Sequence, residues 1–254
     1  MNIGFIGTGQ ITKAVVLGIT KSEIKYKKIF ISKRNVKISK YLKSINKKVK
    51  ISSDNQFIIN NSDWIFLAIT PDVGKKILKK LNFKSNKTII SFISTIKLNE
   101  LKALTNRKAT IVRAIPLPPI SFMKGPVPLF PKNSKISKFF NNIGDSININ
   151  NELSSLNFWA TSSLMASYYE LLLEVSRWLQ KKGLGKSYSQ KYVVSLFSAL
   201  SEAAVMRSDQ DLKLLVKDSQ TPKGLNEQTL NFLKKKGFYR QLNLSLEKIL
   251  KRLK

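Results

Sequence analysis

The chain has 254 residues, with 45 Lys and Arg against 15 Asp and Glu and a formal net charge of +30. It contains neither cysteine nor histidine, which excludes disulfides and thiol chemistry and removes the commonest metal ligand and general acid/base. Chemistry is therefore expected from a cofactor, or from Lys, Tyr, Ser, Thr and carboxylates, with no metal site and no disulfide-forming compartment implied.

The first fourteen residues read as a buried strand, Ile3–Ile6, a glycine turn at Gly7 and Gly9, and a helix beginning near Gln10. That is the form of a dinucleotide-binding fingerprint: the first glycine permits the turn and the second lets the backbone approach a pyrophosphate at a helix N-terminus. The third glycine of G-x-G-x-x-G is replaced by Thr12, followed by Ala14. A strand-to-helix turn that uses glycine only for its geometry is the alternative reading.

Further apolar runs at residues 29–31, 64–69, 88–93 and 110–115 alternate with amphipathic segments at 10–19, Val36–Ile45, 56–60, 73–81 and Leu98–Leu104. Continuous apolar strands separated by helices predict a mostly parallel sheet covered on both faces. Asp54 and Asp72 stand where helix N-caps belong, the second just after Pro71. Prolines at 116, 118, 119, 126, 128 and 131 predict an extended loop or edge strand, and residues 146–149 a last strand that closes a first domain of residues 1–150.

From 151 to 254 the period is helical. One long, mostly apolar helix is predicted within 153–182, ended by Gly183 and Gly185. A second, capped by Ser187, runs to Met206, and a third, capped by Ser208, covers 209–216. Thr221-Pro222 reads as the start of a fourth helix, Gly237 as its end, and 239–253 as a fifth. The first of these helices is apolar nearly all round, which predicts burial in a homodimer or higher homo-oligomer.

The charge is spread through every segment, as at Lys75, Lys76, Lys79 and Lys80 and again at Lys234 to Lys236. Solvated lysine faces are expected, not a nucleic-acid site. No apolar run approaches the roughly 18 residues that cross a bilayer, and no export signal is apparent, so a cytoplasmic protein with no membrane partner is expected.

The second strand ends Ile31-Ser32-Lys33-Arg34-Asn35, without the carboxylate that an NAD site uses to hold the ribose 2′-hydroxyl. A hydroxyl and two cations suit a 2′-phosphate, and the expected cofactor is NADP(H). One more basic turn in a basic protein is the alternative.

Taken together, the chain resembles the pyrroline-5-carboxylate reductase family over essentially its full length. The matching pieces are Gly7-Thr8-Gly9-Gln10-Ile11-Thr12-Lys13-Ala14, Ser32-Lys33-Arg34, Asn55, Ser62-Asp63-Trp64-Ile65-Phe66-Leu67-Ala68-Ile69-Thr70-Pro71, Ser91 and Val112-Arg113-Ala114-Ile115-Pro116. The resemblance implies an α/β Rossmann-type parallel-sheet N-terminal domain and an all-α C-terminal dimerisation domain that also carries the substrate site. It places the pyrophosphate on the turn of Gly7, Thr8, Gly9, Gln10 and Ile11, and the 2′-phosphate at Ser32, Lys33 and Arg34. Asn55 would help to hold the adenosine ribose, and Ala68, Thr70 and Pro71 would pass along the cofactor.

The substrate half departs from the family pattern. Where the family has Met-Pro-Asn-Thr-Pro, this chain has Ile115-Pro116-Leu117-Pro118-Pro119. Ser-Gly-Ser-Gly-Pro-Ala becomes Thr161-Ser162-Ser163-Leu164-Met165-Ala166, and Ser-Pro-Gly-Gly-Thr-Thr becomes Thr221-Pro222-Lys223-Gly224-Leu225-Asn226. By resemblance, Ser163 and Thr221 are the catalytic candidates and Lys223, Gly224 and Asn226 the substrate-binding ones, with Tyr168 and Glu170 as alternative proton donors. The implied reaction is hydride transfer from NADPH to the C=N carbon of a small cyclic imine, by default in proline synthesis. The altered positions keep open a different imine or keto substrate, and also a regulatory cofactor-binding protein without turnover.

Overall fold

The computed structural model of the chain describes residues 1–105 and 109–254. They divide into two compact units, Met1–Trp159 together with Leu253–Lys254, and Ala160–Arg252.

The first unit alternates strand and helix. Its elements begin β1 (Ile3–Ile6), α1 (Gln10–Lys21), β2 (Ile29–Ser32), α2 (Val36–Ile45), β3 (Val49–Ser52), α3 (Asn55–Asn60) and β4 (Trp64–Leu67). They continue with α4 (Pro71–Ile77), a 3₁₀ turn at Leu78–Lys80, β5 (Thr88–Ser91), α5 (Leu98–Leu104) and β6 (Thr110–Ala114). A second 3₁₀ turn, Pro118–Phe122, leads to β7 (Pro126–Phe130), α6 (Ser134–Phe140) and β8 (Asp145–Asn148).

The sheet order is β3-β2-β1-β4-β5-β6-β7-β8, with all pairs parallel except β6 with β7. This is a Rossmann-type order, and it reverses direction between β1 and β4. Strands diverge there at their C-terminal ends, and the crevice they leave is where such sheets take ligands.

Alternation along the strands divides the core into two layers. Phe5 and Phe66 stack at 4.7 Å on one face, against Val15 and Val16 of α1 and Phe139 and Phe140 of α6. Ile6, Ile65 and Leu67 point to the other face, against Ile58 and Ile59 of α3 and Leu101 of α5. Gly4 lies where α3 presses closest, since a Cβ there would be 2.4 Å from the Ser62 hydroxyl.

Several boundaries differ from expectation, each for a local reason. β3 was not foreseen because an edge strand reading Val-Lys-Ile-Ser carries only two apolar residues. Pro71 opens α4 and Thr70 is its N-cap, so Asp72 sits inside the first turn instead of capping it. β7 is an interior strand despite its prolines. The Pro128 carbonyl accepts from Ile115, so the missing amides face β6, which pairs only with Leu129 and Phe130. Val127 and Leu129 carry the β8 side.

The helices after the sheet are α7 (Glu152–Ser162), α8 (Leu164–Lys181), α9 (Lys186–Met206), α10 (Leu212–Asp218), α11 (Leu225–Lys235) and α12 (Phe238–Leu253). The single helix expected within 153–182 is two, separated at Ser163, whose hydroxyl donates to the Ala160 carbonyl at 2.6 Å. Gly185, not Ser187, is the N-cap of α9. Asp211, not Ser208, caps α10, accepting from the Lys213 amide at 2.9 Å. The fourth predicted helix begins at Leu225 and not at Thr221-Pro222, because Lys223 adopts φ +62, a left-handed conformation that a helix cannot continue. Gly237, with φ +75, separates α11 from α12 as expected. Among the described residues, no helix is long and apolar enough to cross a membrane.

Candidate functional site

At the C-terminal ends of β1 and β4 the chain folds as a glycine turn over a cleft. Gly7 has φ +100, and a Cβ there would lie 2.2 Å from the Ala68 carbonyl oxygen, so the position admits only glycine. Gly9 is different in kind. Its backbone is extended, φ −94 and ψ −168, and a Cβ would meet no protein atom within 4 Å. The space beside Gly9, at the start of α1, is open.

Gly9 is also the N-cap of α1, no side chain caps the helix, and its first turn has no acid. The first-turn amides are thus available to an anion, whose charge the helix dipole favours. Thr12, in place of the third glycine, is fully buried and donates its hydroxyl to the Gly7 carbonyl at 2.8 Å. A hydrogen bond ties the helix to the turn where the fingerprint relies on close packing.

Two adjoining hollows, of about 500 and about 490 Å³, follow this turn. The structure brings Gly7, Thr8, Gly9, Ser32, Lys33, Arg34, Asn55, Ala68 and Thr70 to their walls, with Gly7 and Arg34 common to both. Gln10 and Ile11 lie in the first turn of α1, and Pro71 opens α4. The wall also holds residues that the sequence reading did not single out: Val36, Ile69, Val73 and Ile77, with Ser53. Val73 and Ile77, four residues apart, lie on one side of α4, and Ile69 precedes that helix in the loop after β4. Together with Val36 these apolar side chains suit the face of a flat aromatic ring such as a purine.

The electrostatics match the lining. Lys33 and Arg34 are exposed just after β2, and among the described residues no carboxylate lines either hollow. Asp54, between two lining residues, has its carboxylate on the Gln56 amide at 2.8 Å as the α3 N-cap. Ser32 is buried, and its hydroxyl accepts from the Gly7 amide at 3.0 Å and lies 3.0 Å from Thr8 Oγ1.

Farther along the C-terminal side of the sheet, Arg113, the penultimate residue of β6, sits in a buried network. Its guanidinium donates to Glu152 at 2.7 Å, to the Ser94 carbonyl at 2.6 Å and to Ser155 at 3.3 Å. Glu152 also accepts from the Leu98 amide at 2.6 Å, which is the first residue of α5. Desolvation holds the Arg113 pKa below its ordinary value, and the neighbouring carboxylate offsets part of that effect. The network fixes the loop after β5 to the start of α7.

In the helical unit the predicted substrate residues form a tight turn. The Gly224 amide donates to the Thr221 carbonyl at 2.8 Å, and a Cβ on Gly224 would lie 2.7 Å from Thr221 Oγ1. The Lys223 amide donates to the Glu227 carboxylate at 2.6 Å, and the Asn226 side-chain amide to the Ser219 carbonyl at 2.8 Å. Tyr168 packs its ring against Tyr169 and Phe197, and Glu170 lies 3.6 Å from Arg177.

Residues 2–95 match the family described as NADP oxidoreductase, coenzyme F420-dependent. Over 234 residues the chain is 24% identical to the pyrroline-5-carboxylate reductase of Haemophilus influenzae, covering 87% of this chain and 84% of that one. The chain is similar to pyrroline-5-carboxylate reductases along most of its length. Its fold agrees with that similarity. A pyrroline carboxylate reductase from Plasmodium falciparum, solved with NADP bound, superposes with a TM-score of 0.86 at 23% identity, covering 100% of this chain and 97% of the other. A 1-pyrroline-5-carboxylate reductase from Streptococcus pyogenes gives 0.83 at 20% identity, covering 100% and 98%.

Proposed function

We propose that the chain is an NADPH-dependent reductase of a cyclic imine, with pyrroline-5-carboxylate as its default substrate. The observation that carries this reading is the glycine turn: Gly9 faces open space at an uncapped helix N-terminus, with Arg34 in the same hollow, Lys33 in the adjoining one and no carboxylate among their described lining residues. The bound NADP of the P. falciparum relative supports the same choice of cofactor.

In this reading Gly7, Thr8 and Gly9, with the amides of Gln10 and Ile11, hold the pyrophosphate. Lys33 and Arg34 pair with the 2′-phosphate, Arg34 through its planar set of donors. Asn55 lies toward the ribose, and Val36, Ile69, Val73 and Ile77 supply the apolar wall. NADPH supplies a hydride to the C=N carbon when bound. The protein's task is to hold the imine, favour its protonated form and exclude water. Ser163 and Thr221 are the proposed polar groups on the substrate side, together with Lys223, Gly224 and Asn226. The test is transfer of hydride from NADPH to pyrroline-5-carboxylate.

One observation favours a second reading, in which the substrate is a different imine or a keto compound. The Lys223 amide, one of the groups proposed for the substrate side, already donates to Glu227. A panel of cyclic imines with and without a ring carboxylate separates the two readings.

We also propose that the chain works as a homodimer or higher homo-oligomer. Within α8 to α12 only Ser176, Ser189 and Val193 are buried, while Tyr188 is 78%, Val205 71% and Leu225 82% exposed. Helices that bury so little need a partner to cover their apolar sides. Sedimentation at micromolar concentration is expected to give at least twice the chain mass, and a single-chain mass would contradict the proposal.

A further inference from the structure

We propose that Ser32 and Thr8 form a hydroxyl clasp that sets the shape of the pyrophosphate turn, and that Ser32 is a positioning residue instead of a ligand of the 2′-phosphate. This deepens, and rests on, the NADP reading above.

Thr8 donates its hydroxyl to the Ser32 carbonyl, so its one proton is committed. Thr8 Oγ1, 3.0 Å from Ser32 Oγ, is then the acceptor for the one proton that Ser32 carries. The Gly7 amide donates to the same Ser32 oxygen at 3.0 Å. Each donor in this circuit has its acceptor inside it, and Thr8 and Ser32 are only 3% and 7% exposed.

Phosphate oxygens need donors. Ser32 could offer its proton to a phosphate only by giving up Thr8, in a buried place where an unmet partner is costly. The Lys33 amide is also occupied, donating to the Ser52 carbonyl at 2.9 Å. Recognition of a 2′-phosphate therefore falls to the exposed side chains of Lys33 and Arg34.

The clasp joins the first glycine of the turn to the end of β2, across 25 residues of sequence. It holds Gly7 in its left-handed conformation before any ligand arrives, which lowers the ordering cost of binding. Such a role is blind to the 2′-phosphate. It acts on NADPH and NADH alike, whereas a phosphate ligand acts on NADPH alone.

The experiment measures the affinities of NADPH and NADH for the wild type, Ser32→Ala, Thr8→Val, Thr8→Ser and Arg34→Ala, with amide hydrogen exchange at Gly7 in the ligand-free proteins. Ser32→Ala and Thr8→Val should weaken both dinucleotides by the same factor, about three- to tenfold, the size of one or two hydrogen bonds. In Thr8→Ser, which keeps the hydroxyl, Gly7 exchange should match the wild type. Arg34→Ala should weaken NADPH alone. Gly7 exchange should rise about tenfold in Ser32→Ala, as expected for an amide that has lost its acceptor. Loss of NADPH affinity alone in Ser32→Ala, or unchanged binding with unchanged Gly7 exchange, overturns the clasp. A wild type that binds neither dinucleotide overturns the NADP reading instead, and Gly7 exchange still reports on the clasp in that protein.

Discussion

Gly9→Val is expected to abolish binding of NADPH and NADH while leaving the thermal midpoint where it is. The two halves of this result have separate causes. On the protein side, Gly9 has an ordinary extended backbone and a Cβ would touch nothing within 4 Å, so valine fits without strain. On the ligand side, the branched side chain fills the approach to the α1 N-terminus, and a loss of affinity of at least about 100-fold, roughly 2.7 kcal/mol, is expected. Gly7 provides the contrast. An alanine there has φ +100 and a Cβ 2.2 Å from the Ala68 carbonyl, so it should lower stability as well as binding. Titration calorimetry and a melting curve on both variants check the pair. Normal binding by Gly9→Val would mean that the turn is geometry and nothing more.

The second large effect concerns stability. Arg113 is 3% exposed, and Glu152 is its only carboxylate partner among the described residues. Glu152→Ala leaves a buried guanidinium without its counter-charge and the Leu98 amide without its acceptor. Removal of one member of a buried pair costs on the order of 3 kcal/mol, which is about 6–12 °C in Tm for a chain of this size. Arg113→Met combined with Glu152→Leu should recover much of that loss, because neither charge then remains buried. A double variant less stable than Glu152→Ala would show that the other Arg113 contacts, to Ser94 and Ser155, carry the stability.

Much of this site was legible in the sequence, and the reasons are physical. Short-range rules govern the glycine turn, the helix starting at Gln10 and the absent acid after β2, and the sheet brings those three pieces together. Val36, Val73 and Ile77 were harder to see because their role depends on which helices border the crevice, a matter of strand order. Ser32 marks a limit of another sort. Its residue type suits a phosphate, but the direction of its hydroxyl depends on Thr8, 24 residues earlier.

The helical unit was read less well. Ser187 and Ser208 are both able to cap helices, and neither does: Gly185 and Asp211 hold those positions. The choice among nearby caps is made by backbone geometry, as the left-handed Lys223 shows at the start of α11. The residues proposed for the substrate lie in this unit, whereas those proposed for the cofactor lie in the Rossmann-type unit, whose elements follow the short-range rules.

The reaction proposed for the cleft between β1 and β4 is delivery of a hydride from NADPH to a cyclic imine. Incubating the wild-type protein with NADPH deuterated at the transferable C4 position and with pyrroline-5-carboxylate, then weighing the product by mass spectrometry, tests it most directly. Hydride transfer predicts one deuterium in the cyclic amine for each NADP⁺ formed, with the balancing proton drawn from water. NADPH bound tightly, yet no deuterium in the amine from this or any imine of the panel, would contradict it.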